Sequence, residues 1–290
     1  MSFTLFPGTR LALALESLAG LSVGDALGAQ HFVTPVDLSD PPDGPWPWTD
    51  DTEEACCLVA TLGEGDFDRD TFAELLGRHH DPGRGYGPGA LAMLREIRAG
   101  LPWPIAAAAA FDGQGSSGNG AAMRAAPLGA WHADSLVRAA AQGARAAEVT
   151  HAHPEGIAGG VAVTVAAAVA TAGRLDGQRP RLLAAVAAHT PAGRVHDGLA
   201  EAAGLRDAEH AAHVLGNGTR AMAQDTVPFA LWVADHFLDD YPGALAACVA
   251  AGGDVDTTCA IAGGVVAAHT GPDGIPDAWL ASREQLPLWL

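Results

Sequence analysis

The sequence predicts an all-α protein, a compact orthogonal multi-helix single domain over residues 1–290. Three observations carry that expectation. Apolar residues recur at helical spacing along most of the chain, with proline near the starts of the segments and glycine at their ends. No stretch alternates long enough to build a sheet. Residues are 49% hydrophobic but only 6% aromatic, so Ala, Gly, Val and Leu must form the core, and small side chains suit close helix-on-helix contact.

The first helix is expected over 10–27, where Leu11, Leu15 and Leu18 share a face. Glu16 interrupts this run and only Arg10 precedes it, which argues against a secretory leader. Further helices are expected over 51–63, 69–79, 88–99, 103–111, 119–130 and 134–148. Pro88 suits a first turn and Gly100 ends that helix. Pro154 introduces the apolar run GIAGGVAVTVAAAVATAG (156–173), which sits in a helix expected over 155–172. Its Gly, Ala and Thr content suits a buried helix better than a membrane span. The remaining helices are expected over 180–189, 194–204, 207–215, 220–236, 240–252 and 257–269. Short pieces such as HFVTPV (31–36) are the strongest strand candidates. The proline-rich stretch 35–47 and the glycine-rich stretch 112–120 read as loops within one domain.

The formal net charge is −18, and all 16 basic residues are arginine. Such a surface repels polyanions, and no basic stripe with aromatics is present, which excludes a nucleic-acid backbone as partner. An anionic small molecule remains compatible if a cation or helix-start amides reverse the field locally. Cys56, Cys57, Cys248 and Cys259 show neither zinc spacing nor a secreted disulfide pattern. A soluble, cytoplasmic monomer with no membrane partner is expected.

Four short stretches look chemical. In WPWTDDTEEACCLVATL (46–62), Thr49, Asp50, Asp51, Thr52, Glu53 and Glu54 crowd a helix start. Capping accounts for much of this, because helix starts have free N–H groups and a positive dipole end. The same oxygens are also ligands for a hard cation. AGGDVDTTCAIAGGVVAAHTG (251–271) repeats the pattern with Asp254, Asp256, Thr257 and Thr258. If the two clusters met, their carboxylates would repel strongly without a cation, and two divalent ions would balance four of them. In GQGSSGNGAAMRAAPLG (113–129), glycines with Ser116, Ser117 and Asn119 form either a phosphate cradle or a flexible loop capped by Asn119. THAHPEG (150–156) adds His151 and His153 as candidates for ligand contact or for purely structural roles.

Taken in order, GLSVGDALGA (20–29), WTDDT (48–52), GNGAAMRAAPLG (118–129), THAHP (150–154) and GGDVDTTCAIAGGVVAA (252–268) resemble the ADP-ribosylglycohydrolase family. The resemblance implies an all-α domain with a metal-containing cleft and two divalent cations, Mg²⁺ or Mn²⁺, as cofactors. It implies hydrolysis of the bond at C1″ of ADP-ribose conjugates, so that ADP-ribose or an ADP-ribosylated protein is the partner. Thr49, Asp50 and Asp51 would ligate metal from one side, and Asp254, Asp256 and Thr257 from the other. Asp50, Asp51 and Asp256 would be the catalytic carboxylates. Gly115, Ser116, Ser117, Gly118 and Asn119 would take the phosphates and neighbouring ribose, and His151 would line the distal ribose. Asp25, in a turn formed by GDALG, looks like a support rather than a ligand.

Two departures from the family pattern bear on substrate. Serine-type members carry a Glu shortly after the GDALG segment, whereas AQHFVTPV (29–36) has none and places His31 and Phe32 there. Arginine-linked or small free conjugates are therefore favoured. Ser117 stands where some members have an aromatic that stacks on the ligand, leaving Phe111 and Trp131 as candidates. The sequence leaves lid control by residues 30–47 open. A non-catalytic ADP-ribose-binding or structural relative, and a dimetal hydrolase of another phosphorylated small molecule, are the alternative functions.

Overall fold

The computed structural model describes residues 4–63 and 67–290. Among them it forms α1 (Pro7–His31), α2 (Asp50–Ala60), α3 (Arg69–His79), α4 (Pro88–Arg98), α5 (Trp103–Gly113), α6 (Gly120–Met123), α7 (Ala126–Trp131) and α8 (Leu136–Glu148). The second half comprises α9 (Pro154–Asp176), α10 (Leu182–Ala187), α11 (Arg194–Ala202), α12 (Ala208–Leu215), α13 (Ala223–His236), α14 (Tyr241–Ala251), α15 (Val255–Thr270) and α16 (Asp277–Ser282). Extended pairing among the described residues is limited to the isolated bridges Trp46–Arg283 and Gly118–Met222. The expected all-α class is therefore observed.

The helical expectations differ from the structure where backbone chemistry intervenes. GDALG is not a turn: Gly24 to Gly28 lie inside α1, which continues to His31. Thus HFVTPV begins as a helix end rather than a strand, with the Val36 amide donating to His31 Nδ1 (3.3 Å). The helix expected over 119–130 splits into α6 and α7 around Arg124 and Ala125. Pro127 has no N–H to donate back and its ring crowds the preceding turn, so a continuous ladder cannot run through it. Regular helix in α5 stops before Ala110, because Phe111 and Asp112 take left-handed backbone angles (φ 52° and 57°). α16 is a further short helix with no strong periodic signal in the sequence.

The central contact is α1 against α15. Glycines make it close: a Cβ on Gly24 would lie 2.3 Å from the Cys259 carbonyl oxygen, and one on Gly28 would lie 2.6 Å from Asp256 Cα. α9 is buried along most of its length against α7, α8, α13 and α15. α1 and α9 are long and apolar enough to cross a membrane, but 72% and 89% of their most apolar windows are buried inside the protein, as in core helices. All four cysteines are buried and free.

Candidate active site at two acidic helix starts

α1 grips the starts of two other helices. Asp25, fully buried, accepts from the Thr49 amide (2.9 Å), Thr49 Oγ1 (2.7 Å), the Thr52 amide (3.1 Å) and Thr52 Oγ1 (2.5 Å). One turn further on, Gly28 lets the α1 backbone lie against Val255 and Asp256. The start of α2 and the start of α15 are thereby brought side by side. Asp25 thus holds the start of α2 through these four hydrogen bonds.

The groups that open α2 are divided between structure and open valence. Thr49 is the N-cap, its hydroxyl accepting from the Asp51 amide (3.3 Å). Glu53 accepts from the Asp81 amide (2.9 Å) and from the Tyr86 hydroxyl (2.7 Å). Glu54 receives a guanidinium hydrogen bond from Arg124. Asp51, only 2% exposed, keeps its Oδ2 without a hydrogen-bond partner among the described residues. A buried carboxylate oxygen left unpaired is costly, and its lone pairs are open to a cation or a ligand.

On α15, Asp254 precedes the first turn and Asp256 lies within it, with Asp256 Oδ1 accepting from the Thr257 amide (2.8 Å). Electrostatics ties the two clusters together. Burial, then the charges of Glu54, Asp25 and Asp256, lift Asp50 to about 9. Burial and the charges of Asp25, Asp256, Asp50 and Asp254 push Asp51 well above the usual carboxylate range. Burial and the charges of Asp254 and Asp25 do the same to Asp256. Two helix N-termini point their positive ends at this group and offset part of the repulsion.

Among the described residues, no three His, Cys, Asp or Glu side chains converge tightly enough to close on one ion. The donor set nevertheless fits a hard divalent cation: adjacent Asp carboxylates, flanking Thr hydroxyls and the unpaired Asp51 Oδ2.

The glycine-rich loop lies beside these carboxylates. The Asn119 side-chain amide donates to Asp254 Oδ2 (2.7 Å) and to Thr226 Oγ1 (3.1 Å). Asn119 does not cap α6 with its side chain. The loop is clasped to the segment 216–222 by Asn119 N to Ala221 O (3.1 Å) and Ala223 N to Ser117 O (2.9 Å). Several amides that glycines would free for a ligand are used internally: Gly115 N donates to Ala110 O, and Gly118 N to Ser116 Oγ. Among the described residues, the Ser116 and Ser117 amides of this loop have no internal acceptor. His151 packs its ring against Gly118 and Gly120, so the loop and the histidine form one wall.

Other candidates separate. His153 caps α9, its Nδ1 accepting from the Glu155 amide (3.1 Å). Trp131 is 6% exposed and its carbonyl accepts from Arg10, so it offers no face to a ligand. Phe111 is 66% exposed and offers one.

Sequence reasoning passed over the 216–222 loop. Asn217 O accepts from the Asp254 amide (3.1 Å), and Gly218, at φ 87°, leaves room that a Cβ would contest with Asp254 Cβ at 2.5 Å. The signal was GNG between two helices, which reads only as a turn. A cavity of about 680 Å³ opens elsewhere along this loop, lined in part by Glu209, His213, Asn217, Arg220 and Asp225. No carboxylate of α2 or α15 lines it, so the acid cluster and this cavity are separate features.

The protein is thus an all-α one whose two acidic helix starts meet beside a glycine-rich loop. A profile of the ADP-ribosylglycohydrolase family matches residues 7–290, and the chain belongs to that family. An uncharacterized protein of Archaeoglobus fulgidus is 32% identical, over 91% of this chain and 88% of that one. ADP-ribosylhydrolase ARH3 of Homo sapiens is 28% identical, over 92% and 88%. ADP-ribosylarginine hydrolase Tri1 of Pseudomonas putida is 27% identical, over 96% and 76%. A solved structure titled "ADP-ribosylglycohydrolase-related protein complex" superimposes with a TM-score of 0.64 at 26% identity, covering 96% of this chain and 94% of that one.

Proposed function

We propose that the protein is a metal-dependent hydrolase that cleaves the glycosidic bond at C1″ of ADP-ribose conjugates, with arginine-linked or small free conjugates favoured over serine-linked ones. The observation that carries the proposal is the meeting of the two acidic helix starts over α1, with Asp51 Oδ2 buried and unpaired. Thr49, Asp50 and Asp51 on one side and Asp254, Asp256 and Thr257 on the other would hold two divalent cations, Mg²⁺ or Mn²⁺. Bound there, these cations supply positive charge that offsets the carboxylates, grips ribose hydroxyls and polarises water.

The chain's own residues supply the rest. Asp50 or Asp51 accepts the proton of the attacking water as the C1″ bond to the leaving group breaks, and Asp256 stabilises the charge that develops. The released group takes up a proton and ADP-ribose leaves with the new hydroxyl. The Ser116 and Ser117 amides receive the diphosphate, Asn119 steadies Asp254, and His151 faces the distal ribose. Phe111, exposed in a loop held by two left-handed residues, offers a face for the adenine. The absence of a Glu from 29–36 supports the arginine preference. The name of the Tri1 relative specifies arginine; that of ARH3 specifies no linkage.

Arginine- and serine-ADP-ribosylated substrates incubated with Mg²⁺, Mn²⁺ or chelator, with release of ADP-ribose followed, test this reading. Metal-dependent release is expected from the arginine conjugate, and none from Asp50→Ala or Asp256→Ala. If neither substrate releases ADP-ribose although it binds tightly, the hydrolase reading fails in favour of a binding protein.

A further inference from the structure

Behind His151 runs a chain of buried polar groups whose donor directions are fixed. Arg124, between α6 and α7, is 1% exposed. Its Nη1 donates to Glu54, one turn along α2 from Asp50 and Asp51, and its Nη2 donates to Ala146 O (3.2 Å) and Thr150 Oγ1 (2.8 Å). A guanidinium has donors only and stays charged. The Thr150 hydroxyl therefore accepts from Arg124 and still has its own hydrogen to give. His151 Nδ1 lies 2.7 Å from that oxygen. No other acceptor for the Thr150 hydrogen is present among the described residues, so Nδ1 receives it and the ring proton sits on Nε2.

The Nε2 edge faces the glycine loop. A Cβ on Gly120 would lie 3.3 Å from Nε2, and one on Gly118 would lie 3.5 Å from it. Among the described residues no protein acceptor pairs with Nε2, so its N–H is free to serve a ligand. Burial, assisted by the Arg124 charge, depresses the imidazole to about 3, so the ring is neutral in ordinary buffers.

We infer that Arg124 and Thr150 are positioning residues that lock His151 in the Nε2–H form, making it a fixed hydrogen-bond donor to an acceptor oxygen of the ligand in the glycine loop. The ligand's identity as ADP-ribose rests on the function proposed above; the tautomer does not. One arginine so links the acidic helix, through Glu54, to the histidine that faces the ligand. A Thr→Val change at 150 keeps the shape but removes the hydroxyl, freeing Nδ1 to take the proton. A Thr→Ser change keeps the hydroxyl.

The test is a long-range ¹⁵N–¹H correlation on the full chain labelled at histidine, in wild type, Thr150→Val and Thr150→Ser. His151→Asn assigns the signal among the 12 histidines. The expected wild-type spectrum has a protonated Nε2 and a bare Nδ1, unchanged between about pH 8 and about pH 5. Thr150→Val shifts protonation toward Nδ1, and Thr150→Ser restores it. Wild-type His151 protonated on Nδ1 overturns the inference, and so does a Thr150→Val spectrum identical to wild type. Calorimetry with ADP-ribose supplies the second readout, with affinity about tenfold weaker in Thr150→Val and recovered in Thr150→Ser. Full affinity in a folded Thr150→Val protein overturns the donor role. Wild-type protein that shows the stated tautomer but binds no ADP-ribose supports the relay and sinks the functional reading alone.

Discussion

Asn119 donates its side-chain amide to Asp254 at 2.7 Å, joining residues 135 positions apart. The contact ties the glycine-rich loop to the second acidic cluster, so disturbing one element should disturb the other. Asn119→Ala leaves Asp254 and Thr226 short of a donor, at a cost of about 1–3 kcal/mol. Asn119→Asp should be worse, because it sets a third carboxylate beside Asp254 and Asp256. Thermal melts with and without Mn²⁺ check both variants. A cation-induced shift as large in Asn119→Asp as in wild type would show that the loop does not steady the cluster.

Asp25 should matter through geometry rather than ligation. Its Oδ2 takes three of the four donors from Thr49 and Thr52, and Oδ1 takes only the Thr49 hydroxyl. In Asp25→Asn the carbonyl can occupy the Oδ2 position while the new NH₂ donates to the Thr49 hydroxyl, which can turn. That variant should lose at most about 1.5 kcal/mol. Asp25→Ala strands two buried amides and two hydroxyls and should lose roughly 3 kcal/mol or more, together with any cation response. Urea melts of the pair decide: equal losses would mean the donor pattern is not what Asp25 supplies.

Asp51→Asn should change sign with conditions. In chelator it removes an acid whose ionisation is opposed by burial and by Asp25, Asp256, Asp50 and Asp254, so the variant should be the more stable by about 1 kcal/mol. In saturating Mg²⁺ or Mn²⁺ the wild type should gain about 2.7 kcal/mol at a hundredfold excess over Kd, and the variant little. The two melting curves should therefore exchange order when metal is added. Wild type more stable in both conditions would argue that these carboxylates are caps only.

Much of this was legible in sequence because its signals are local. Thr49-Asp50-Asp51 and Asp254-X-Asp256-Thr257 each announce an acidic helix start, and the Ala- and Gly-rich composition announces close helix packing. Asp25, Thr52, Asn119 and Glu54 each stood out, but their pairing was not legible, because Asp25 with Thr52, Asn119 with Thr226 and Arg124 with Glu54 join distant segments and no local pattern links the two ends. Arg124 passed unremarked, although a single charge inside AAMRAAP is its trace. The split of the helix around it was readable from Pro127, whereas the left-handed pair Phe111 and Asp112 carries no glycine or asparagine to betray it.

His151 sets a pH dependence whose sign is fixed. The ring titrates at about 3 when folded and near 6.5 when unfolded, so between those values the unfolded chain binds the extra proton. Its contribution is complete above about pH 6.5 and is lost as pH falls toward 3, with a limiting slope of about 1.4 kcal/mol per pH unit. Subtracting the stability curve of His151→Gln from that of wild type isolates this slope from the other histidines. Parallel curves from about pH 7 to pH 4.5 would mean that the ring is solvated and charges freely.

The α1–α15 contact can be probed with three glycines on one helix, each in a different setting. A Cβ at Gly24 would meet the Cys259 carbonyl oxygen at 2.3 Å, and backbone cannot move aside as a side-chain tip can. Gly24→Ala should therefore part the two helices and lose about 3 kcal/mol. Gly28 faces Val255 and Asp256, where α15 is only beginning, so Gly28→Ala can be relieved by shifting the helix start. Its loss should be smaller in stability but should fall on the cation-induced thermal shift, because Asp256 moves with that start. Gly8 has nothing within 4 Å of an added Cβ and lies in the first turn of α1, so Gly8→Ala should be neutral or stabilising by up to about 1 kcal/mol. Melts of the three variants in chelator and in Mn²⁺ separate packing from site geometry. If Gly28→Ala kept the full cation shift, the close approach at Gly28 would be packing only, and the alignment of the two acidic helix starts would rest on the Asp25 contacts.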